Sequence, residues 1–362
     1  MYSKSTMQHL IDIETAKQLT DDYIKNYCQT RLNESQQLGP TYTRLWQSIE
    51  SLLLAGGKRF RPFMVLATYQ AYNPQGALND VLPAAVAQEL IHTAMLIHDD
   101  IIDRDSVRYG ISNISGQYKQ YYSRFLNDET EQMHMSISAA LLGGDALISD
   151  AHRLLRKTNR PTLLIEQADE IFNKAIFEVI GGELLDTEAS FLPEGEISAL
   201  SIAKYKTASY SFISPITMGA ILAEAPEQDV KILTQFSEIL GIGYQLRDDL
   251  LGMFGNETAT GKSITTDITE GKHTYLIEQF ELLATPEQSE AFKAVFHYKD
   301  ATVDEINTAK LLLIESGASI AVEENINTMK LMAFEKITNL TISQESKLIY
   351  KNLVERSLNR ES

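Results

Sequence analysis

Cysteine is almost absent from this chain: Cys28 is the single one among 362 residues. A disulfide needs two cysteines, so the chain can form none internally, which suits the reducing cytoplasm. The segment 1–20 lacks the uninterrupted apolar core of a secretory signal. No other stretch approaches the run of about 20 apolar residues that crossing a bilayer requires. We therefore expect a cytoplasmic protein without a transmembrane segment.

Positive charge is also scarce. The chain has 32 Lys and Arg residues against 49 Asp and Glu residues, which gives a formal net charge of −17. A nucleic-acid-binding surface is basic, so this balance argues against nucleic acid as the main partner. The simplest consequence of the acidity is solubility.

Proline and alternating β-strand patterns are both rare. Only nine prolines interrupt the chain, and apolar residues recur every three or four positions in 82–102, 165–185 and 230–251. This pattern predicts an all-α fold of many helices. No Gly/Ser/Pro linker divides the chain, so we expect a single domain over 1–362, with an N-terminal helical extension over 1–40.

Turn-forming residues mark where the predicted helices end. They are Gly39-Pro40, Asn73-Pro74-Gln75-Gly76, Leu192-Pro193-Glu194-Gly195 and Ala225-Pro226. The polar stretch 110–133 is rich in tyrosine, serine and acidic residues and lacks a steady apolar face. It predicts a loop or a mobile cap.

Three aspartates crowd the end of an apolar helical run over 83–97: Asp99, Asp100 and Asp103. Asp99 and Asp103 are four positions apart and share a helix face. Like charges this close repel each other unless a cation lies between them. Carboxylate oxygens suit a hard ion, and Mg²⁺ commonly joins a few carboxylates to phosphate oxygens. One such cluster alone is more often an exposed acidic helix end.

A second acidic cluster, Asp248-Asp249, follows another apolar helical run over 239–244. Two carboxylate clusters at the ends of two core helices could face each other across a cavity. There they would hold a diphosphate from both sides through bound metal ions. The paired occurrence favours a metal site over two solvated helix ends.

Cations suited to phosphate stand out against the acidic background. Lys58, Arg59 and Arg61 follow Gly56-Gly57, whose backbone amides can approach an anion closely. A guanidinium binds phosphate as a fork, and lysine binds it as a point charge. His92 lies seven positions before the first aspartate and so near the same helix face. Further candidates are Lys206-Thr207, Lys262, Asp267 and Lys272.

Taken in order, these motifs resemble the trans-isoprenyl diphosphate synthases, also called the polyprenyl synthetase family. Any one motif is modestly specific, whereas the ordered set is highly specific. The resemblance extends from about Gly56 to Asn359-Arg360. Its motifs are Gly57-Lys58-Arg59 with Arg61-Pro62, Glu89-Leu90-Ile91-His92-Thr93-Ala94, the first aspartate cluster, Gly144-Asp145-Ala146-Leu147, Gly182-Glu183 with Asp186, Lys206-Thr207, the second aspartate cluster, and Gly261-Lys262 with Asp267 to Lys272.

The resemblance implies an all-α fold around a deep central cavity, a homodimer and three Mg²⁺ ions. The implied metal ligands are Asp99, Asp103 and Asp248, supported by Asp100 and Asp249. The residues implied to hold an allylic diphosphate are Arg108, Lys206 and Lys262. Those implied to hold isopentenyl diphosphate are Lys58, Arg61 and His92. Thr207 and Gln245 are implied to lie beside the nascent cation.

The reaction implied by this family needs no protein nucleophile. Metal ions and cations stabilise the departing diphosphate, the allylic C–O bond ionises, and the isopentenyl double bond attacks the cation. The released diphosphate then takes a proton. The small Ala94, next to Met95 and one turn before the first aspartates, leaves room for a growing chain. It predicts a product of C20 or longer, with geranylgeranyl diphosphate preferred over a longer polyprenyl diphosphate.

The sequence departs from the family pattern at two places. Tyr109 follows Arg108 where the family often has a second arginine that contacts isopentenyl diphosphate. The segment between Gly110 and Gly144 is longer than usual, which predicts that 110–133 is an inserted loop. Two alternatives therefore stay open: a subunit that needs a catalytic partner, and a class I terpene synthase, which the Asp248-Asp249 pair disfavours.

Overall fold

The computed structural model describes residues 10–192, 195–255, 266–269, 271–298 and 300–360. Nearly all of their regular structure is helical. In this part of the chain the only sheet is an antiparallel ribbon of β1 (Val107–Arg108) and β2 (Ile111–Ser112). The predicted all-α fold is confirmed. No described helix has the length and apolar character needed to cross a membrane.

The helices are numbered in chain order. The first ten are α1 (Ile13–Ser35), α2 (Pro40–Leu54), α3 (Phe60–Tyr72), α4 (Leu82–Ile102), α5 (Ile114–Tyr122), α6 (Glu129–Leu155), α7 (Thr162–Ala189), α8 (Ala199–Ile202), α9 (Ser214–Leu222) and α10 (Glu227–Phe254). A π-helix, Ala203–Ile213, lies between α8 and α9. The rest are α11 (Thr266–Thr269), α12 (Tyr275–Leu283), α13 (Pro286–Lys293), α14 (Val303–Glu315), α15 (Ala318–Thr338) and α16 (Gln344–Leu358).

Two compact units make up the chain. One comprises Met1–Ile171 with Pro215–Ala225, and the other comprises Phe172–Ser214 with Pro226–Ser362. In the first unit α4 packs against α6, α3 and α1, and in the second α10 packs against the π-helix, α15 and α16. The single domain over 1–362 stays a prediction.

Three helices predicted from apolar periodicity are confirmed. α4 has the predicted bounds, and α7 and α10 extend the predicted segments by three or four residues at each end. Helix ends also coincide with predicted turns, since α2 begins at Pro40 and α3 ends at Tyr72. The N-terminal extension contains α1.

The loop predicted over 110–133 is wrong for α5 and for the first residues of α6, which begins at Glu129. The Asn113 side chain accepts a hydrogen bond from the Gly116 amide at 2.9 Å and caps this helix. Only Ile114 and Tyr118 of α5 are buried. A nine-residue helix with two buried positions carries too little apolar periodicity to be recognised from sequence.

α4 is buried almost all the way round as far as Ile97. Four of its residues are alanines with no exposed surface: Ala84, Ala85, Ala87 and Ala94. Small side chains let neighbouring helices come close, and an apolar surface on every side is typical of an interior helix. The aspartates at the C-terminal end of α4 therefore follow directly on a helix that lies in the interior of the unit.

A buried charge network joins α1 to α6. The side chain of Asp150, which is 6% exposed, accepts hydrogen bonds from Tyr27 Oη at 2.6 Å and from Arg31 Nε at 2.5 Å. Arg153 Nε donates to the same carboxylate at 3.2 Å. Burial, with Asp150 acting in the same direction, raises the pKa of Tyr27. The phenol therefore stays protonated and keeps donating.

Replacing Asp150 with asparagine is expected to lower the free energy of unfolding by about 1–3 kcal/mol, because Arg31, whose side chain is 20% exposed, then keeps the half-exposed Glu34 as its counter-charge. Urea denaturation followed by circular dichroism measures the change. The matched control is Lys25→Gln, which removes an exposed i,i+3 pair with Asp22 from α1. It should change stability by less than about 0.5 kcal/mol, and equal losses in the two variants would contradict the prediction.

Candidate active site

The first aspartate cluster lies at the end of α4. Asp99 and Asp100 belong to its last turn, and the backbone N–H of Asp103 closes the helix on the Asp99 carbonyl at 2.8 Å. The side chain of Asp100 is 2% exposed, that of Asp99 is 19% exposed, and Asp103 is exposed. The helix end therefore keeps one carboxylate in the interior and leaves two accessible to a ligand.

Arg108 binds the two more buried carboxylates. Its Nε donates to Asp100 Oδ1 at 2.8 Å, and its Nη2 donates to Asp99 Oδ2 at 3.0 Å. Burial raises the pKa of Asp100 to about 6, although Arg108 and Asn113 act in the opposite direction. Burial lowers the pKa of Arg108 while the carboxylates raise it, and the carboxylates prevail. Near pH 7 both Asp100 and Arg108 are therefore charged.

The β1–β2 ribbon returns Arg108 to α4. Tyr109 and Gly110, with φ of +54° and +74°, form its turn. Two positive φ angles are typical of a tight hairpin turn, which glycine adopts readily and tyrosine does not. The turn brings the Tyr109 phenol within electrostatic range of Arg61 and Arg108, and burial raises the pKa of this phenol.

The residues implied for isopentenyl diphosphate come from α4 and from the region where α3 begins. Lys58 is exposed before α3, Arg61 is half-buried in the first turn of α3, and His92 is half-buried on α4. Burial, and then the charges of Arg61, Arg108 and Arg59, place the pKa of His92 well below its usual value. His92 is therefore neutral near pH 7 and offers a hydrogen bond without a charge.

In the second unit a hydrogen-bonded chain joins the π-helix to α10. Thr207 Oγ1 donates to Gln245 Oε1 at 2.6 Å, and Gln245 Nε2 donates to Asp249 Oδ1 at 2.8 Å. Thr207 and Gln245, both implied to lie beside the nascent cation, are thus in direct contact. Asp249 orients the Gln245 amide so that its oxygen faces the threonine.

Asp248 is paired with a residue near the end of the chain. Arg360 Nη2 donates to Asp248 Oδ1, and Arg360 Nη1 donates to Tyr244 Oη at 2.7 Å. The guanidinium carbon lies 4.2 Å from the centre of the tyrosine ring. The sequence alone assigns no role to Arg360, because a partner 112 positions away leaves no local pattern.

Lys206 is held by two carboxylates of α7. Its Nζ donates to Glu183 Oε1 at 3.1 Å and also to Asp186. The π-helix can approach α7 this closely because residue 182 is glycine. A Cβ on Gly182 would lie 2.2 Å from the Lys206 backbone nitrogen. Lys262, also implied to hold the allylic diphosphate, lies outside the described residues.

The donor set fits magnesium. In the described ranges no three His, Cys, Asp or Glu side chains form a group that could hold a metal ion by themselves. Mg²⁺ rarely uses such a cage, since it binds one or two carboxylates and completes its shell with waters and substrate phosphates. In the first unit, Asp99 with Asp103 offers such an open pair. In the second unit, Asp248 offers a carboxylate of its own.

An all-helical scaffold that presents carboxylates, arginine and lysine close together fits the class of enzymes that act on diphosphates with metal ions. The family model described as "Polyprenyl synthetase" matches residues 43–313 of this sequence. The chain therefore belongs to the polyprenyl synthetase family.

Similar proteins of established structure or name agree with this assignment. The chain is 30% identical to a geranylgeranyl diphosphate synthase of Methanosarcina mazei, over 76% of this chain and 77% of the relative. It is 34% identical to a farnesyl diphosphate synthase of Bacillus subtilis, over 62% and 71%. A geranylgeranyl pyrophosphate synthase from Corynebacterium glutamicum, crystallised with isoprenyl diphosphate and magnesium, has a TM-score of 0.89 at 28% identity, over 97% of this chain and 100% of that one.

Adding one methyl group at Gly182 should displace Lys206. We expect Gly182→Ala to lower the rate of product formation at least about 10-fold, because a small misplacement of a binding group costs much of the rate. The overpacked contact should also lower the free energy of unfolding by about 1–3 kcal/mol.

Its neighbour provides the control. Gly181 is exposed and a Cβ there meets nothing within 4 Å, so Gly181→Ala should keep the activity and slightly raise stability, since alanine favours a helix over glycine. Steady-state turnover and urea denaturation of both variants are the measurements. Equal behaviour of the two would contradict a positioning role for Gly182.

Proposed function

We propose that this chain is a magnesium-dependent prenyltransferase. It joins isopentenyl diphosphate to an allylic prenyl diphosphate and releases a trans-prenyl diphosphate, of C20 or longer, together with diphosphate. The observation that carries the proposal is the Arg108 bridge to Asp99 and Asp100 at the end of a buried helix, in a chain of the polyprenyl synthetase family. The similarity to geranylgeranyl diphosphate synthases supports the C20 product.

The reaction is governed by charge. The allylic C–O bond breaks and its electron pair leaves with diphosphate. The isopentenyl double bond attacks the allylic cation, and a proton then passes to the released diphosphate. Arg108 and Lys206 bind the leaving diphosphate and stabilise its growing negative charge. Asp99, Asp103 and Asp248 would hold Mg²⁺, three ions by the family pattern, and the metal would supply further positive charge for the leaving diphosphate.

Side chains of this chain also act on the organic part of the substrates. Thr207 donates its proton to Gln245, so the lone pairs of its Oγ1 can face a carbocation. Lys58 and Arg61 supply the charge that holds isopentenyl diphosphate. The neutral His92 adds a hydrogen bond there, and Tyr109 supplies a phenol where the family often has a second arginine.

We also propose a homodimer, located in the cytoplasm. On α6 of the first unit, Met133, Ile137 and Leu141 are exposed at intervals of four residues, which makes one apolar stripe. On α7 of the second unit, Phe177, Ile180 and Leu184 are exposed at intervals of three and four residues, which also places them on one helix face. Exposed apolar stripes of this kind are typical of protein–protein interfaces.

The purified chain alone is to be incubated with Mg²⁺, isopentenyl diphosphate and, in turn, dimethylallyl, geranyl and farnesyl diphosphate. We expect a trans-prenyl diphosphate, and a mass by light scattering close to that of two chains. Asp99→Asn should lower kcat at least about 100-fold, because it removes a carboxylate charge from the metal site.

The matched control for this experiment is Asp105→Asn, an exposed acidic residue just beyond the cluster, which should keep nearly full activity. Failure of the unmodified chain with every allylic substrate would refute the proposal. Activity only after addition of a second protein would favour the partner-dependent subunit, which the tyrosine at position 109 permits. A cyclised hydrocarbon from an allylic substrate alone would favour the terpene synthase.

Product length gives a further test. Ala94 lies one turn before Asp99 and has no exposed surface. A phenylalanine there must displace its neighbours toward the space that we propose for the growing chain, so Ala94→Phe should shorten the main product below C20. Ala94→Val, which adds less volume, should give a smaller shift, and it remains informative if the larger side chain impairs folding. Chromatography of dephosphorylated products is the measurement. An unchanged product with both folded variants would contradict this role.

A further inference from the structure

Among Lys58, Arg59 and Arg61, the basic residues around the start of α3, Arg59 cannot reach a substrate. The side chain of Arg59 is only 4% exposed, whereas Lys58 is exposed and Arg61 is half-buried. Its Nη1 donates to Glu89 Oε1 at 2.7 Å and its Nε donates to Asp21 Oδ1 at 2.7 Å. Its remaining nitrogen, Nη2, donates to the Leu53 carbonyl at 2.6 Å.

These contacts come from three helices. Asp21 belongs to α1, Leu53 to α2 and Glu89 to α4. Arg59 itself is the N-cap residue of α3. One guanidinium therefore joins four helices of the first unit at the point where the basic loop enters α3. A planar fork with fixed donor directions is suited to this task, and the flexible ammonium of lysine is not.

The backbone at Arg59 needs this anchoring. Its φ is +48°, in the left-handed region that non-glycine residues seldom adopt. Such a conformation is unfavourable by about 1–2 kcal/mol and persists only where surrounding contacts hold it. Gly57, at φ +122°, lies against the same side chain, since a Cβ there would be 3.3 Å from Arg59 Nη1. The loop thus wraps around the guanidinium of its own arginine.

The Arg59–Glu89 ion pair connects the loop before α3 to α4, the helix that carries His92 and the first aspartate cluster. Glu89 precedes His92 by three positions on α4, so the two side chains lie on adjacent parts of one helix face. Glu89 and Asp21 also neutralise the charge of Arg59. Lys58 lies one residue before Arg59 and Arg61 two residues after it, and these are the two cations that the family pattern assigns to isopentenyl diphosphate.

We propose that Arg59 is a positioning residue for the isopentenyl diphosphate subsite: through Glu89 it sets the placement of Lys58 and Arg61 relative to His92 without touching the substrate. This inference rests on the proposed function. It predicts that breaking the Arg59–Glu89 contact weakens the binding of one substrate and leaves the other substrate bound as before.

Steady-state kinetics of Arg59→Lys, Glu89→Gln and the double variant provide the test. Each single variant should raise KM for isopentenyl diphosphate about 10-fold. The KM for the allylic diphosphate and kcat should stay within about threefold. The double variant should be little worse than either single one, because both changes break the same contact. Titration calorimetry of the full chain with isopentenyl diphosphate should show a matching loss of affinity.

Asp150→Asn is the control, since it disrupts another buried arginine–carboxylate contact of the same unit, with Arg31, outside the proposed site. It should lower stability and leave both KM values unchanged. Loss of stability without a change in KM for isopentenyl diphosphate in the Arg59 and Glu89 variants would overturn the proposal. An equal rise in KM for both substrates would do the same.

Failure of the proposed function is distinguishable from failure of this inference. An unmodified chain that makes no product with any allylic substrate contradicts the function, and calorimetry still decides whether Arg59→Lys weakens the binding of isopentenyl diphosphate. If Arg59→Lys does not fold, Glu89→Gln decides, because it keeps the shape of the side chain and removes the charge of the ion pair with Arg59. Unchanged affinity in folded Glu89→Gln overturns the inference.

Discussion

A charged group that is removed from water needs an opposite charge beside it, and the arrangement of the functional residues depends on this constraint. An uncompensated buried charge destabilises a protein by several kcal/mol, typically about 3–5 when one partner is lost. In the described part of the chain the same solution recurs in both units. The pairs are Arg108 with Asp99 and Asp100, Arg59 with Glu89 and Asp21, Lys206 with Glu183 and Asp186, and Arg360 with Asp248.

Because buried charges need protein partners, the charged residues fall into two groups: those that support the fold and those that we propose to act on the substrates. Each of the three guanidinium nitrogens of Arg59 donates to a protein acceptor, so Arg59 supports the loop, while Lys58 one position earlier is exposed. A guanidinium suits carboxylate and phosphate oxygens equally, so Arg108 is a group that can serve a diphosphate as well as an aspartate. Neutral His92 completes the set, because burial, and then three nearby cations, lower its pKa and disfavour a further positive charge.

How far the sequence predicted the structure depended on whether the signal was local. α4 was predicted with its observed bounds because apolar residues recur every three or four positions along its whole length. α5 was missed because it buries only two residues and otherwise resembles a polar loop. The aspartate clusters were recognisable because a metal site needs like charges at short spacing, and the family assignment followed from the order of such motifs. The role of Arg360 was not recognisable, because its partner is distant in the chain.

The sequence by itself determined the helical class and the family, because these depend on composition and on spacings of a few residues. Only the tertiary structure decided which cation of the basic run is buried and why α7 can approach Lys206. Both depend on contacts between distant segments: Arg59 with Asp21 and Glu89, and Gly182 with the π-helix. Burial and pairing are properties of that assembly, and no short stretch of sequence contains them.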